Sequence, residues 1–386
     1  MSRGNRIAAC AALAGAWLVA GGAQAAPIEL LGTRLELPFG YQVQHVRESF
    51  SQGYGLRAER IYELLVTDGE AKGGTVQVDA SYYSPDRIDA GVVQGWLRAD
   101  AEKAAADKDN RAVQPLQIDG FGFTFVDGAL KSGDYPQRML VNGAVNGAVY
   151  RVGVYAKDTK PLSPALAASL KALRIDYPAL LRVRSDFDTE ATASVSPAGM
   201  VTPLGLLSLP HGVSARLSSS FVERDGNGKP GFRRRNFSLH KTGFWTIQNL
   251  VLSVSCGDEQ PDAYANFIGM TSEQKDEDEK DRWTNVTPTQ PARLAGLPAE
   301  TATASGGQIG IRHTDVTRWA AHASGRFYGV QIERLNGSPI ETSLGKQLAT
   351  AKPECLVGQP FGNPAQANAS ASPPPAPPAP PAPAAR

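Results

Sequence analysis

The stretch "LELPFG" at Leu35–Gly40 returns as "LSLPHG" at Leu207–Gly212, 172 positions further along the chain. A second string, "NGAVYRVGVY" at Asn146–Tyr155, returns as "SGRFYGVQIE" at Ser324–Glu333 with an offset of 178. In the first string, alternating leucines precede a proline and a glycine, which is typical of a strand that ends in a turn. In the second, valines alternate with other residues as in a half-buried strand. Both strings indicate scaffold, and their shared order indicates a duplicated unit.

The segments between the strings follow the same predicted order in both halves. Runs rich in β-branched and aromatic residues, separated by Gly-containing turns, predict antiparallel strands. In the first half these runs are Leu56–Val66, Thr75–Tyr83, Val113–Ile118, Phe121–Val126, Arg138–Val141 and Val149–Tyr155. Apolar residues at helical spacing predict a helix over Asp89–Lys108, and Ser163 with Pro164 predicts the start of a second. The predicted class is α+β, with two tandem duplicated domains, each an antiparallel β-sheet packed with two main helices.

This order of elements resembles a known family. With its L-P-x-G turn, its G-x-x-Y-x-V strand and its Ser-initiated last helix, each half is similar to the PsbP-like fold, which includes DcrB-like exported proteins. A fainter likeness, carried by "ARLAGLPAET" at Ala292–Thr301, connects the chain to periplasmic immunity proteins that neutralise type VI phospholipase effectors. The resemblance implies a sheet flanked by helices and a role in protein binding, and it carries over no catalytic residue.

The first 25 residues predict a secretory signal peptide. A basic start with Arg3 and Arg6 precedes an apolar run and an A-x-A site at Ala23–Ala25. A lipoprotein processed at Cys10 is the alternative, but only three apolar residues separate that cysteine from Arg6. No later segment is apolar for long enough to span a membrane. We expect a periplasmic protein, with secretion as the alternative.

The remaining boundaries follow from composition. The segment between the halves is polar, rich in Ala, Ser and Thr, and contains prolines, which is typical of a linker. The Pro/Ala-rich end predicts a disordered tail. The predicted organisation is signal peptide 1–25, first repeat 26–177, linker 178–200, second repeat 201–357 and tail 358–386.

The net charge and the cysteines limit which partners and ligands the chain is expected to bind. The formal net charge of the chain is +1, so we expect no nucleic-acid partner. After the leader is removed, Cys256 and Cys355 remain, and an exported chain favours a disulfide between them. Closing so long a loop would stabilise the fold by about 4–5 kcal/mol. No His pair at ligand spacing accompanies them, so no metal site and no cofactor are predicted.

Candidate functional residues are few. "DGNGKPG" after Arg224 contains G-x-G-x-x-G, but it lies between two predicted strands and is better explained as a hairpin turn. His313 and Asp315 form the only sequence-adjacent acid/base pair, with Thr317 or Ser324 as conceivable nucleophiles, and a surface strand explains them better. We therefore predict no catalytic residue. The candidate partner-binding residues are basic or aromatic: Arg233, Arg234, Arg235, Tyr82, Tyr83 and Trp245.

The predicted function is that of an exported, non-enzymatic protein that binds a protein or envelope partner through its two similar domains. An immunity protein against a secreted effector is its most concrete form. The alternatives are an envelope-maintenance or stress protein and a small-ligand binder. A hydrolase is the least favoured.

Overall fold

Strands dominate the architecture. The computed structural model describes residues 27–53, 55–85, 95, 110–129, 136–157, 162–242, 247–258, 267–268, 285–309, 312–335, 340–352 and 355. Within these residues the chain forms twenty strands and three helices.

Within its described residues, the first half contains nine strands and one helix. Its strands are β1 (Ile28–Leu30), β2 (Thr33–Leu35), β3 (Tyr41–Gln52), β4 (Gly55–Val66), β5 (Thr75–Pro85), β6 (Asn110–Ile118), β7 (Phe121–Ala129), β8 (Gln137–Val145) and β9 (Ala148–Ala156). Its helix α1 (Pro164–Lys171) begins where the Ser-Pro pair predicts, because the Ser163 side chain accepts a hydrogen bond from the Leu166 amide. The six predicted strands named above all lie within observed strands or within two residues of them.

The second half begins after a long helix, α2 (Tyr177–Ser194). Its strands are β10 (Val195–Ser196), β11 (Gly199–Thr202), β12 (Gly205–Leu207), β13 (Val213–Asp225), β14 (Pro230–Thr242), β15 (Ile247–Asp258), β16 (Asn285–Val286), β17 (Gln290–Leu294), β18 (Leu297–Ile309), β19 (Arg312–Ala323) and β20 (Arg326–Leu335). Helix α3 (Ile340–Thr350) closes the half. As predicted, a hairpin turn follows Arg224: β13 and β14 are joined there, and Asp225 Oδ1 accepts hydrogen bonds from the amides of Asn227 and Lys229.

One fifteen-stranded antiparallel sheet joins the two halves. The first half contributes the order β3-β4-β5-β9-β8-β7-β6, and the second contributes β13-β14-β15-β20-β19-β18-β16, with β17 also paired to β18. The small hairpins β1–β2 and β11–β12 likewise occupy corresponding places, because Ile28 pairs with Leu35 and Met200 pairs with Leu207. The two halves therefore repeat the same strand order around a shared sheet.

The joint between the halves, here called the seam, is the pairing of β3 with β13. It runs antiparallel from His45–Asp225 to Ser51–Ser219. At its centre Ser49 lies opposite Phe221, its own counterpart at the 172-residue offset. Two equivalent strands paired in this way have local twofold pseudosymmetry, as in an isologous interface. The seam also covers one edge strand of each half, which would otherwise expose unpaired backbone groups.

A single apolar core runs across the seam on the face that carries the hairpins and helices. It includes Leu35 and Phe187 as well as Leu207 and Phe237, all fully buried. A smaller, separate apolar cluster contains Ile268 with Ala302 of β18, Ala320 of β19 and Phe327 of β20. Within the residues described, no helix is long and apolar enough to cross a membrane.

The predicted α+β class is wrong. Long strands paired into one sheet outweigh the three described helices, so the fold is mostly β. The expectation of two main helices per domain did not anticipate one antiparallel sheet that continues through both halves. Of the predicted first-half helix over Asp89–Lys108, only Gly95 lies within the described residues.

The segment predicted as a polar linker is largely helical. Asp176 caps α2 by accepting a hydrogen bond from the Ala179 amide, and Leu180, Val183 and Phe187 bury one face of the helix. The remainder forms β10 and the start of β11. A composition rich in Ala, Ser and Thr predicts irregular chain, whereas three buried apolar side chains at helical spacing are enough to dock this segment on the sheet.

Candidate functional site

The described chain contains an open cleft beside the seam, formed by hairpin β1–β2, helix α2 and the sheet. It has two adjoining cavities. The outer cavity, of about 1100 Å³, lies between the hairpin and residues 168–182. The seam cavity, of about 380 Å³, lies between the hairpin, α2 and strands β3, β4 and β13. Both are lined by Leu30, Gly32, Ala179 and Arg182. The seam cavity therefore includes groups from both halves of the chain.

Hairpin β1–β2 is held by the elements around it. The Gly32 carbonyl accepts a hydrogen bond of 2.8 Å from the Asp176 amide. The Tyr62 hydroxyl donates to the Glu29 carbonyl at 2.6 Å, and the Tyr150 hydroxyl donates to the Leu31 carbonyl. Gly32 has a φ of 63°, and a Cβ there would lie 2.9 Å from the Cβ of Leu180. Only glycine allows this close approach of hairpin to helix.

Helix α2 crosses the seam and forms the opposite wall of the cleft. Its buried Phe187 lies 5.9 Å from Phe50 of β3, measured between ring centroids. Residues of its first two turns face the cavities, and residues of its last two turns pack on the second half. The helix therefore fixes the geometry of the cleft to both halves at once.

At the end of α2, a buried carboxylate anchors the helix on β13 and β14. Glu190 Oε1 accepts hydrogen bonds from Arg233 at 3.0 Å, from Arg235 at 3.1 Å and from the Ser220 hydroxyl at 2.8 Å. Arg235 also donates to the Val201 carbonyl at 2.8 Å. Burial, followed by the neighbouring charge of Arg235, lowers the pKa of Arg233 to about 10, which keeps it charged at neutral pH. We refer to this group as the Glu190 cluster.

A second ion cluster lies at the seam itself, on the floor of the seam cavity. Glu48 of β3 accepts a hydrogen bond of 2.9 Å from Arg60 of β4 and one of 3.3 Å from Arg224 of β13. These three side chains are 17%, 29% and 23% exposed, so the ions are partly desolvated yet reachable from the cavity. Because Arg224 belongs to the second half, this Glu48 cluster joins the halves electrostatically.

Helix α2 contributes two further charged residues to the wall of the seam cavity. Arg182 and Asp186 are exposed, and neither forms a salt bridge within the part of the chain that the structure describes. Burial raises the pKa of Asp186, while the charges of Arg182 and Arg60 act in the opposite direction. The cavity therefore presents both charged and hydrogen-bonding groups to whatever enters it, an arrangement suited to binding a polar segment.

The predicted partner-binding arginines do not form one surface. They are on β14, which is an interior strand between β13 and β15. Arg233 and Arg235 are buried in the Glu190 cluster, because alternate residues of a strand point to the same face. Arg234 is exposed and lies 5.5 Å above the ring of Phe221. Of the three, only Arg234 is accessible to a partner.

Tyr82 and Tyr83, the predicted aromatic residues that the structure describes, do not line the cleft. Tyr82 is buried and Tyr83 is half-buried, both on β5, and Trp245 lies outside the described residues. His313 and Asp315 are both on β19, opposite Gln308 and Ser305 of β18.

The predicted disulfide is confirmed. Cys256 of β15 is bonded to Cys355, with 5.7 Å between their Cα atoms. The bond attaches the chain after α3 to a central strand of the second half. It lies in the core and not at the cleft.

Sequence analysis missed the residues that build the cleft. Glu190 and Arg182 fall within the segment predicted as a linker, so no site was sought there. The spacing of Leu180, Val183 and Phe187 was the available signal for a docked helix. No comparable signal exists for Glu48 and Arg224, because their contact depends on the pairing of two strands 176 positions apart in sequence.

Comparison with known proteins does not assign a family. No protein-family model matches the chain, and no curated protein matches it. A search of solved structures finds a crystal structure of MucB in complex with MucA(peri), at 11% sequence identity, covering 81% of this chain and 93% of that one, with a TM-score of 0.16. At that TM-score the similarity identifies neither the fold nor the function of this protein.

Proposed function

We propose that this is an exported, non-enzymatic binding protein that holds a segment of a protein partner in the cleft beside the seam. The observation that carries the proposal is the cleft itself, an open cavity of about 1100 Å³ continuous with one of about 380 Å³. An open cavity lined by this many charged side chains suits a peptide loop better than a small apolar ligand, whose sites are concave and mostly apolar.

The rigidity of the cleft supports the proposal. Its walls are fixed by the bonds from hairpin β1–β2 to α2, and by the Glu190 cluster at the far end of that helix. Binding surfaces that are ordered before association lose less conformational entropy when the partner docks. A charged and rigid cleft therefore favours specific recognition without any catalytic group.

Export is part of the proposal. The Cys256–Cys355 bond is of a kind that persists in oxidising compartments, and the N-terminal sequence predicts a cleavable signal peptide. The most concrete version is a periplasmic immunity protein whose cleft receives a loop of a secreted effector. Envelope maintenance and small-ligand binding are the alternatives.

The test is capture of the partner from the cells that produce the protein. The tagged full chain, exported by its own leader, is expected to recover one protein in stoichiometric amount. Ala179 lines both cavities, so replacing it with Trp places a bulky side chain where they adjoin and should abolish recovery. The matched change Ala193→Trp, at an exposed position of the same helix, should not.

Three outcomes separate the candidate functions. If the recovered partner is a secreted effector and the purified protein inhibits it, the immunity role is supported. Recovery that is unaffected by Ala179→Trp would place the interface elsewhere. If no protein is recovered but a small molecule copurifies, the proposal is replaced by the ligand-binding alternative.

A further inference from the structure

The internal repeat places an arginine at the same position of each half-sheet. Arg60 lies opposite Glu48 in the β3–β4 ladder, and Arg235 lies opposite Ser220 in the β13–β14 ladder. Glu48 and Ser220 are counterparts at the 172-residue offset that relates the repeated strings. Arg60 and Arg235 are therefore equivalent residues on the same face of the sheet.

Helix α2 covers the arginine in one half only. In the second half, Glu190 lies over Arg235 and Arg233 and receives hydrogen bonds from both. In the first half, the carboxylate that contacts Arg60 comes from the strand, as Glu48. The space above Arg60 remains open as the seam cavity. The two halves thus have equivalent arginine sites, one occupied by Glu190 and the other open to the seam cavity.

The charged side chains around the open site differ in how many of them have a salt-bridge partner. Three arginines and three acids line the seam cavity, namely Arg60, Arg182, Arg224, Glu48, Glu59 and Asp186. Glu48 accepts hydrogen bonds from Arg60 and Arg224. Glu59 is paired at 2.5 Å with Arg57, which does not line the cavity. Arg182 forms no salt bridge with any residue in the described ranges, and Asp186 is the one cavity acid left to offset it.

We propose that the seam cavity receives an acidic side chain of the partner among Arg60, Arg182 and Arg224, in the way that Glu190 occupies the equivalent site of the second half. This rests on the proposed function, since it names the chemistry of the segment that enters the cleft. Each guanidinium offers five N–H donors in a planar fork, so donors remain on Arg60 and Arg224 after Glu48 is bound. The cavity of about 380 Å³ is large enough for a Glu side chain and its backbone.

The test uses a defined probe and the purified full chain. Acetylated tetraglutamate amide is titrated calorimetrically at low salt, where charge interactions are least screened, with tetraglutamine as the uncharged match. We expect tetraglutamate to bind and tetraglutamine not to bind. Arg182→Gln should weaken the affinity about tenfold. Arg216→Gln removes an exposed arginine of β13 that lines neither cavity and should leave the affinity unchanged.

A second measurement locates the bound probe. Tetraglutamate is expected to protect Arg182 from modification by phenylglyoxal, and not Arg216, as read by peptide mass spectrometry. Absence of binding, equal binding of tetraglutamine, or equal weakening by Arg216→Gln would overturn the assignment of an acidic ligand.

Failure of this inference is distinguishable from failure of the proposed function. If a protein partner is recovered and lost in Ala179→Trp while tetraglutamate does not bind, the cleft binds protein by other chemistry. If tetraglutamate binds as expected and no protein is recovered, the three arginines still form a carboxylate-binding site, and its ligand is a small carboxylate instead.

Discussion

At the residue scale, we expect the stability of the fold to depend strongly on Glu190. Replacing Glu190 with Ala leaves Arg233 and Arg235 buried side by side without their shared acceptor. Removing one member of a buried ion cluster costs about 3–5 kcal/mol, and we expect a loss of that size in the free energy of unfolding. Urea denaturation measures it. Asp188→Ala, on an exposed turn of the same helix, breaks only the surface pair with Arg184 and should cost less than about 1 kcal/mol. Equal losses in the two variants would contradict the role given to Glu190.

Asp79 on β5 provides a pH prediction. Burial raises the pKa of its carboxyl above the ordinary 3.8, with the charge of Arg151 acting in the opposite direction. The folded state therefore binds this proton more tightly than the unfolded state does. Stability should fall as pH rises from the ordinary pKa through the raised one, and then level off. Asp79→Asn removes this dependence, so its stability relative to the wild type should increase across that window in urea titrations at successive pH values. A difference that does not change with pH would show that Asp79 is not the source.

Individual residues were predictable where the cause is local. The Ser163 cap follows from the Ser-Pro sequence, and the Cys256–Cys355 bond from the two cysteines outside the predicted leader. The sequence predicts Arg233 and Arg235 as partner-binding residues because they belong to a run of three arginines on a predicted strand. Their burial depends on Glu190, which approaches from a helix 43 positions earlier in sequence. A pattern confined to one strand cannot show that partner.

At the scale of elements, the start of α2 controls the cleft. The Asp176 side chain caps the helix through the Ala179 amide at 3.0 Å, while the Asp176 amide bonds the hairpin at Gly32. Asp176→Ala removes the cap and should reduce the free energy of unfolding by about 1 kcal/mol. Asp176→Asn retains a capping oxygen and should recover most of the loss. Urea denaturation of both variants decides this, and an equal loss in both would indicate that charge, and not capping, is what matters at this position.

Strands were more predictable than helices, for a physical reason. Alternation of apolar residues between Gly-containing turns is a local signal, and it located every predicted strand of the first half. Only three apolar residues of helix α2 are buried, and most of its other residues are polar or small. Its apolar periodicity is therefore weak. Its stability derives from packing on the seam, which a sequence window does not contain.

At the scale of the molecule, the repeated strings indicated duplication but not the way in which the two copies associate. Each copy alone would have an exposed edge at β3 or β13, and the fold pairs these edges with each other. The register, with Ser49 opposite Phe221, follows from two strands that are equivalent in sequence and antiparallel in space. Such a contact has no counterpart within either repeat, so neither repeat could predict it.

The shared sheet and core imply that the two halves unfold together. Calorimetry of the full chain should give one transition, because the core and the β-ladder both continue across the seam. Glu48→Ala deprives Arg60 and Arg224, from different halves, of their shared acceptor. We expect a loss of about 2 kcal/mol, which lowers the transition temperature by roughly 4 °C. Glu63→Ala is the matched control, since Glu63 pairs with Lys157 within the first half alone at 3.7 Å, and it should shift the transition by about 1 °C or less. Two resolved transitions in the wild-type chain would show that the seam does not couple the halves.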